Sequence, residues 1–111
     1  MAKPVYHDLY CYKGQTYEQN LYFKQNKQPI DLTGITFRSQ IRPAENSPVL
    51  VAEFDVVTDA EIGKVSLNLT AEQTSAIRDS AYFWDLKATD ESDIVKYWVR
   101  GKFIVSGRVT E

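Results

Sequence analysis

At 111 residues the chain has room for one domain with a single modest core and not for two. With 43% apolar and 25% charged residues it has the composition of an ordinary globular protein, which excludes a disordered chain. A formal charge of −2 offers no electrostatic basis for nucleic-acid binding, and the uninterrupted apolar runs are far too short to cross a membrane.

Aromatic residues make up 13% of the chain and tyrosine leads with seven, which together with the β-branched residues predicts a strand-rich fold. The opening residues, MAKPVYHD, contain no apolar segment of a secretory signal, so synthesis in the cytoplasm is expected, with retention there or assembly there into something larger. Cys11 is the only cysteine, so packing rather than an internal disulfide must hold the core.

The first predicted strand covers Tyr6 to Tyr12 and is broken by Lys13-Gly14. A second runs from Thr16 to Lys24, followed by polar turn residues Asn26 to Pro29. After Asp31-Leu32-Thr33-Gly34, the apolar residues Ile35, Phe37 and Ile41 alternate with Thr36, Arg38, Gln40 and Arg42, the period of a half-buried strand that Pro43 ends. Val49 to Val57 reads as one strand with Leu50, Ala52, Phe54 and Val56 on a shared face. Gly63 opens the next strand, with Val65, Leu67 and Leu69 inward.

Thr70 stands three residues before Gln73, the spacing of a capping box, which predicts a short helix near residues 71–77 with Ala76 or Ile77 plugging one end of the core. Tyr82, Trp84, Leu86 and Ala88 then point one way on a long strand. The turn Thr89 to Asp93 is polar and acidic, and Val95, Tyr97, Val99, Gly101, Phe103 and Val105 are expected to share one face of the last strand. Gly101 is expected at a bulge or a point of close packing. About seven strands with turns every 8–12 residues predict an all-β, antiparallel sandwich, with a barrel as the alternative and a parallel sheet disfavoured.

Residues with chemical potential are few. His7 and Cys11 are the only residues of their kinds, but four positions along a strand separate them by about 13 Å, too far for a catalytic dyad. Asp90, Glu91 and Asp93 lack the pattern of a calcium loop and read as a solvated hairpin tip. Asp85, next to Trp84, is the one carboxylate of interest, and the simpler reading pairs it with a basic residue on the neighbouring strand. Lys96, Arg100, Lys102 and Arg108 accompany Tyr97 and Trp98, but alternation explains them as a charged strand face on which Trp98 is the exception. Neither a catalytic residue, a cofactor nor a metal is therefore expected.

The tyrosines Tyr6, Tyr10, Tyr12, Tyr17 and Tyr22 exceed what one small core absorbs. Tyrosine suits interfaces because its ring is apolar and its hydroxyl can hydrogen-bond. Residues 1–12 therefore read as a possible docking arm, separable from a domain that folds without it, with Tyr6, Tyr10, Tyr12 and Trp98 as the candidate partner contacts.

The order of motifs carries a family resemblance. Asp31-Leu32-Thr33-Gly34 precedes a strand with Arg38 and Arg42; Gly63-Lys64-Val65 leads into Leu67 to Thr74; Tyr82 to Leu86 and Gly101 to Val105 follow. Over about residues 28–110 this resembles the immunoglobulin-like N-terminal domain of the upper baseplate protein of tailed bacteriophages, and stand-alone head, neck or tail proteins of the same layout. The resemblance implies an Ig-like fold and an adaptor role: a non-enzymatic virion protein, made in the host cytoplasm, that docks in several copies onto other virion proteins around a ring or shell. Because no fibre or receptor-binding part follows Glu111 in the sequence, a role as ring component, connector or capsid-surface protein is expected rather than receptor recognition. A carbohydrate-binding module using an exposed Trp98 or Trp84 is the alternative expectation.

Overall fold

A computed structural model describes residues 5–107. The fold is all-β. Its strands are β1 (Val5–Tyr6), β2 (Leu9–Tyr12), β3 (Tyr17–Tyr22), β4 (Lys24–Gln25), β5 (Gln28–Pro29), β6 (Thr36–Arg42), β7 (Ala52–Glu53), β8 (Asp55–Asp59), β9 (Lys64–Leu69), β10 (Ser80–Thr89) and β11 (Val95–Ser106). They form a larger sheet in the order β1–β11–β10–β6–β7, with β2 also on β11, a smaller sheet β3–β9–β8, and a hairpin β4–β5. The one α-helix among the described residues, α1 (Ala71–Ser75), leads from the smaller sheet back to the larger.

The inner faces of the two main sheets meet in one core. Val65, Leu67 and Leu69 of β9 face inward opposite Trp84, Leu86 and Ala88 of β10, and all six are almost fully buried. Ring contacts tie the sheets together. Tyr17 on β3 meets Phe103 on β11 edge-on at 5.5 Å, and Phe54 meets Trp84 and Phe103 at 6.3 and 5.6 Å. Edge-to-face geometry is favoured by the ring quadrupoles. Tyr17 is therefore a core residue, unlike the other N-terminal tyrosines.

The capping box is present. The Thr70 hydroxyl accepts from the Gln73 amide at 3.1 Å, and the Gln73 side chain accepts from the Thr70 amide at 2.8 Å. The helix is only five residues long, and just beyond it Ile77 enters the core while Ala76 stays exposed. Thr74 fixes the helix from inside. Its buried hydroxyl donates to the Gln15 carbonyl at 2.8 Å and accepts from the Gly14 amide at 3.1 Å. Gly63 ends a single 3-10 turn (Ala60–Ile62) with φ 66°, a left-handed conformation that costs glycine little.

The structure departs from the sequence reading in four places. The stretch Val49 to Val57 is not one strand: β7 pairs with β6 in the larger sheet and β8 with β9 in the smaller. Phe54 is the crossing point, its amide bonded to the Ser39 carbonyl at 2.9 Å and its ring buried between the sheets, while Leu50 is exposed. Second, β1 and β2 run parallel to β11, because the whole domain intervenes between these strands and no tight turn constrains their direction.

Third, the residues read as an arm are part of the sheet from Val5 on. Leu9 and Cys11 are each 2% exposed in the core, because β2 alternates inward and outward like any edge strand. Residues 1–4 lie outside the described residues. Fourth, β10 and β11 lose register between Leu86 and Lys87: Leu86 pairs with Val99 but Lys87 pairs with Tyr97, so Trp98 is the extra residue of a β-bulge. Gly101 is the point of close packing instead.

Candidate protein-interaction surface

The bulge decides which aromatic ring reaches the surface. An extra residue reverses the in–out alternation beyond it. Trp98, expected on the charged face, turns inward and is half-buried, edge-on to Phe23 at 5.1 Å and to Phe37 at 5.3 Å. Tyr97, expected inward, faces out and is 48% exposed. Trp84 is 2% exposed, so neither tryptophan is a free stacking platform. The sign that Tyr97 belonged outside was available in the sequence only as an inconsistency: an apolar Trp98 on an otherwise charged face.

The outward residues of the larger sheet form rows across the strands. One row holds Arg42, Phe83 and Lys102; the next holds Gln40, Asp85 and Arg100, with Tyr6 beside Arg100; the next holds Arg38, Lys87 and Tyr97. On β2, Tyr10 stands beside Ile104 and Tyr12 beside Ser106. Three of the four candidate contacts, Tyr6, Tyr10 and Tyr12, thus lie on one face, exposed by 69%, 69% and 60%, and Trp98 does not join them. Arg108 lies outside the described residues.

The centre of this face is concave. A groove of about 580 Å³ is lined by Phe83, Asp85 and Arg100 of the sheet, by Tyr6 and Tyr97, and by the loop residues Glu45 and Asn46. Arg42 shapes the loop. Its guanidinium donates to the Ser47 and Val49 carbonyls at 3.2 and 3.4 Å and to the Gln40 side chain at 2.6 Å. Arg100 is fixed by an ion pair with Glu45 and by the Tyr6 ring, 5.3 Å from its guanidinium carbon. Arg38 grips Glu53 through two nitrogens, at 2.7 and 3.2 Å. That contact holds the Glu53 carboxyl below its ordinary range.

Asp85 lies between Arg42, Arg100 and Lys87, as the pairing with basic neighbours led us to expect, yet its pKa is raised. Burial of the carboxyl outweighs the attraction of the three cations.

The link between β1 and β2, His7 and Asp8, is held against the sheet by hydrogen bonds. The Trp84 indole donates to the His7 carbonyl at 2.9 Å, and the Asp8 carboxylate accepts from the Lys102 amide at 2.9 Å. His7 itself is exposed while Cys11 is buried, so the two do not form a dyad. Among the described residues, no three His, Cys, Asp or Glu side chains converge as metal ligands, and no helix is long and apolar enough to cross a membrane.

The face thus gathers exposed tyrosines, arginines held in fixed orientations, and a groove between them. Compared with protein-family models and with curated proteins, the chain matches none.

Proposed function

We propose that this chain is a non-enzymatic structural adaptor of a tailed-phage particle, an Ig-like β-sandwich that docks onto other virion proteins through the outer face of its larger sheet. The observation that carries the docking is the gathering of Tyr6, Tyr10, Tyr12 and Tyr97 with Arg38, Arg42 and Arg100 on one exposed sheet face. Tyrosine and arginine are the residue types enriched in protein interfaces and their hot spots. Here the arginines are already oriented by Glu53, Gln40 and Glu45, so binding would order little more.

The Ig-like part of the reading is supported by strand order. Counting only strands of four residues or more gives seven. With β7, the orders β11–β10–β6–β7 and β3–β9–β8 correspond to the G-F-C-C′ and B-E-D orders of an Ig sandwich. Tyr82, near the start of β10, donates from its hydroxyl to the Arg78 carbonyl at 2.8 Å, the geometry of a tyrosine corner. The particle setting rests on the motif resemblance alone, as does the expectation of several copies around a ring or shell.

The test is substitution of Tyr6, Tyr10 and Tyr12 together by serine, with incorporation into purified particles as the readout. These rings lie outside the core, so the domain is expected to fold and the particles to lack it. Normal incorporation of the triple variant sinks the proposal.

A further inference from the structure

The two outer faces of the molecule differ in charge. Outward positions of the smaller sheet are Glu18, Asn20 and Tyr22 on β3, Lys64, Ser66 and Asn68 on β9, and Asp55, Val57 and Asp59 on β8. Three carboxylates thus face one cation, and Lys64 is itself paired in register with Asp59. The larger sheet is the more basic face, with Arg38, Arg42, Lys87, Arg100 and Lys102 outward against Asp85 and Glu53, while Asp8 and Glu45 of the flanking loops also line the groove. The ion pairs among the described residues are Lys13–Asp79, Arg38–Glu53 and Arg100–Glu45. Glu18, Asp55, Asp59, Lys87 and Lys102 take part in none of them.

The spacing also matches. Asp55 and Asp59 are four residues apart on the exposed edge strand β8, with Val57, 56% exposed, between them. Lys102 stands beside Phe83, and Lys87 lies four residues further along β10. Both pairs are thus offset by about 13 Å in the strand direction, the lysines also by one inter-strand spacing of about 5 Å.

We infer that the partner of the larger sheet's outer face is a second copy of this chain, which lays the ridge β8 across the groove so that Asp55 and Asp59 meet Lys102 and Lys87. The inference rests on the docking face proposed above and names its occupant. The contact is head-to-tail: each copy uses two different faces, so copies add in one direction and close into a ring or extend as a filament. A three-stranded face is only about 15 Å by 20 Å, well short of the roughly 800 Å² per partner of a stable pair. Association of the isolated chain is therefore weak, dependent on concentration and reduced by salt.

The experiment is sedimentation of the full chain up to millimolar concentration, with amide NMR shifts to locate the contact. The expected result is a rising average mass that salt suppresses, with shifts at residues 55–59 and around Lys87 and Lys102. The paired reversals Lys87→Glu with Lys102→Glu, or Asp55→Lys with Asp59→Lys, each weaken association by more than roughly tenfold. Mixing the two variants, or joining all four substitutions in one chain, restores it. All four altered residues lie at outward positions, and native near-ultraviolet circular dichroism confirms folding of each variant.

A wild-type chain that stays monomeric throughout overturns the inference. So does an effect of one reversal but not the other, which indicates a symmetric contact, and so does a failure of rescue. None of these results bears on whether the serine variant of Tyr6, Tyr10 and Tyr12 enters particles, so the two proposals fail separately.

Discussion

Single residues decide how closely the first strands approach the sheet. Gly101 lies where the His7 carbonyl points inward to reach the Trp84 indole, and a Cβ at position 101 would overlap that carbonyl. Gly101→Ala is therefore expected to destabilise the domain by about 2 kcal/mol or more, through overpacking and displacement of the Trp84 bond. Chemical denaturation monitored by Trp fluorescence measures it. Asp85 acts in the other direction. Its raised pKa means that the folded state holds the proton more tightly than the unfolded chain does. Ionised Asp85 thus costs stability above its folded pKa, and the cost fades as pH falls toward the ordinary aspartate value of 3.8. Asp85→Asn should be more stable than wild type at neutral pH, with the gain vanishing below that value. A gain that persists unchanged into acid contradicts burial as the cause.

At the level of elements, local chemistry was legible wherever a motif sits within a few residues of chain. The capping box could be read because both partners, Thr70 and Gln73, lie in one turn. Thr70→Ala is expected to cost about 1 kcal/mol in thermal or urea unfolding, the usual value of a lost N-cap. The inward sets of β9 and β10 were legible for the same kind of reason, since alternation is a property of the strand itself. The division of Val49 to Val57 was not. Alternation runs through Ala52, Phe54 and Val56 without a breaker, and only pairing with β6 on one side and β9 on the other assigns the two halves to different sheets. The bulge at Trp98 was hidden likewise, because register belongs to a pair of strands and neither β10 nor β11 encodes it alone.

On the scale of the whole molecule, the N-terminal strands close one edge of the core. Removing residues 1–12 takes away the buried Leu9 and Cys11 side chains and the acceptor of the Trp84 indole. The lost burial and pairing amount to on the order of 5 kcal/mol, comparable with the total stability of a small domain. The truncated chain is expected to lose cooperative unfolding and dispersed amide NMR signals, whereas the tyrosine-to-serine variant keeps both. A folded truncated chain would show that β2 is dispensable after all.

The sequence by itself determined the all-β class, the inward residues of β9 and β10 and the capped turn, because each depends on contacts close along the chain or on strand period. The tertiary structure decided which rings are exposed. Tyr6, Tyr10 and Tyr12 share a face with Tyr97, Arg42 and Arg100 only because β1 and β2 add in parallel to β11 and because a bulge turns Trp98 into the core. A face built from both ends of the chain and its middle is a consequence of strand pairing, and pairing between distant segments is not written in any one of them.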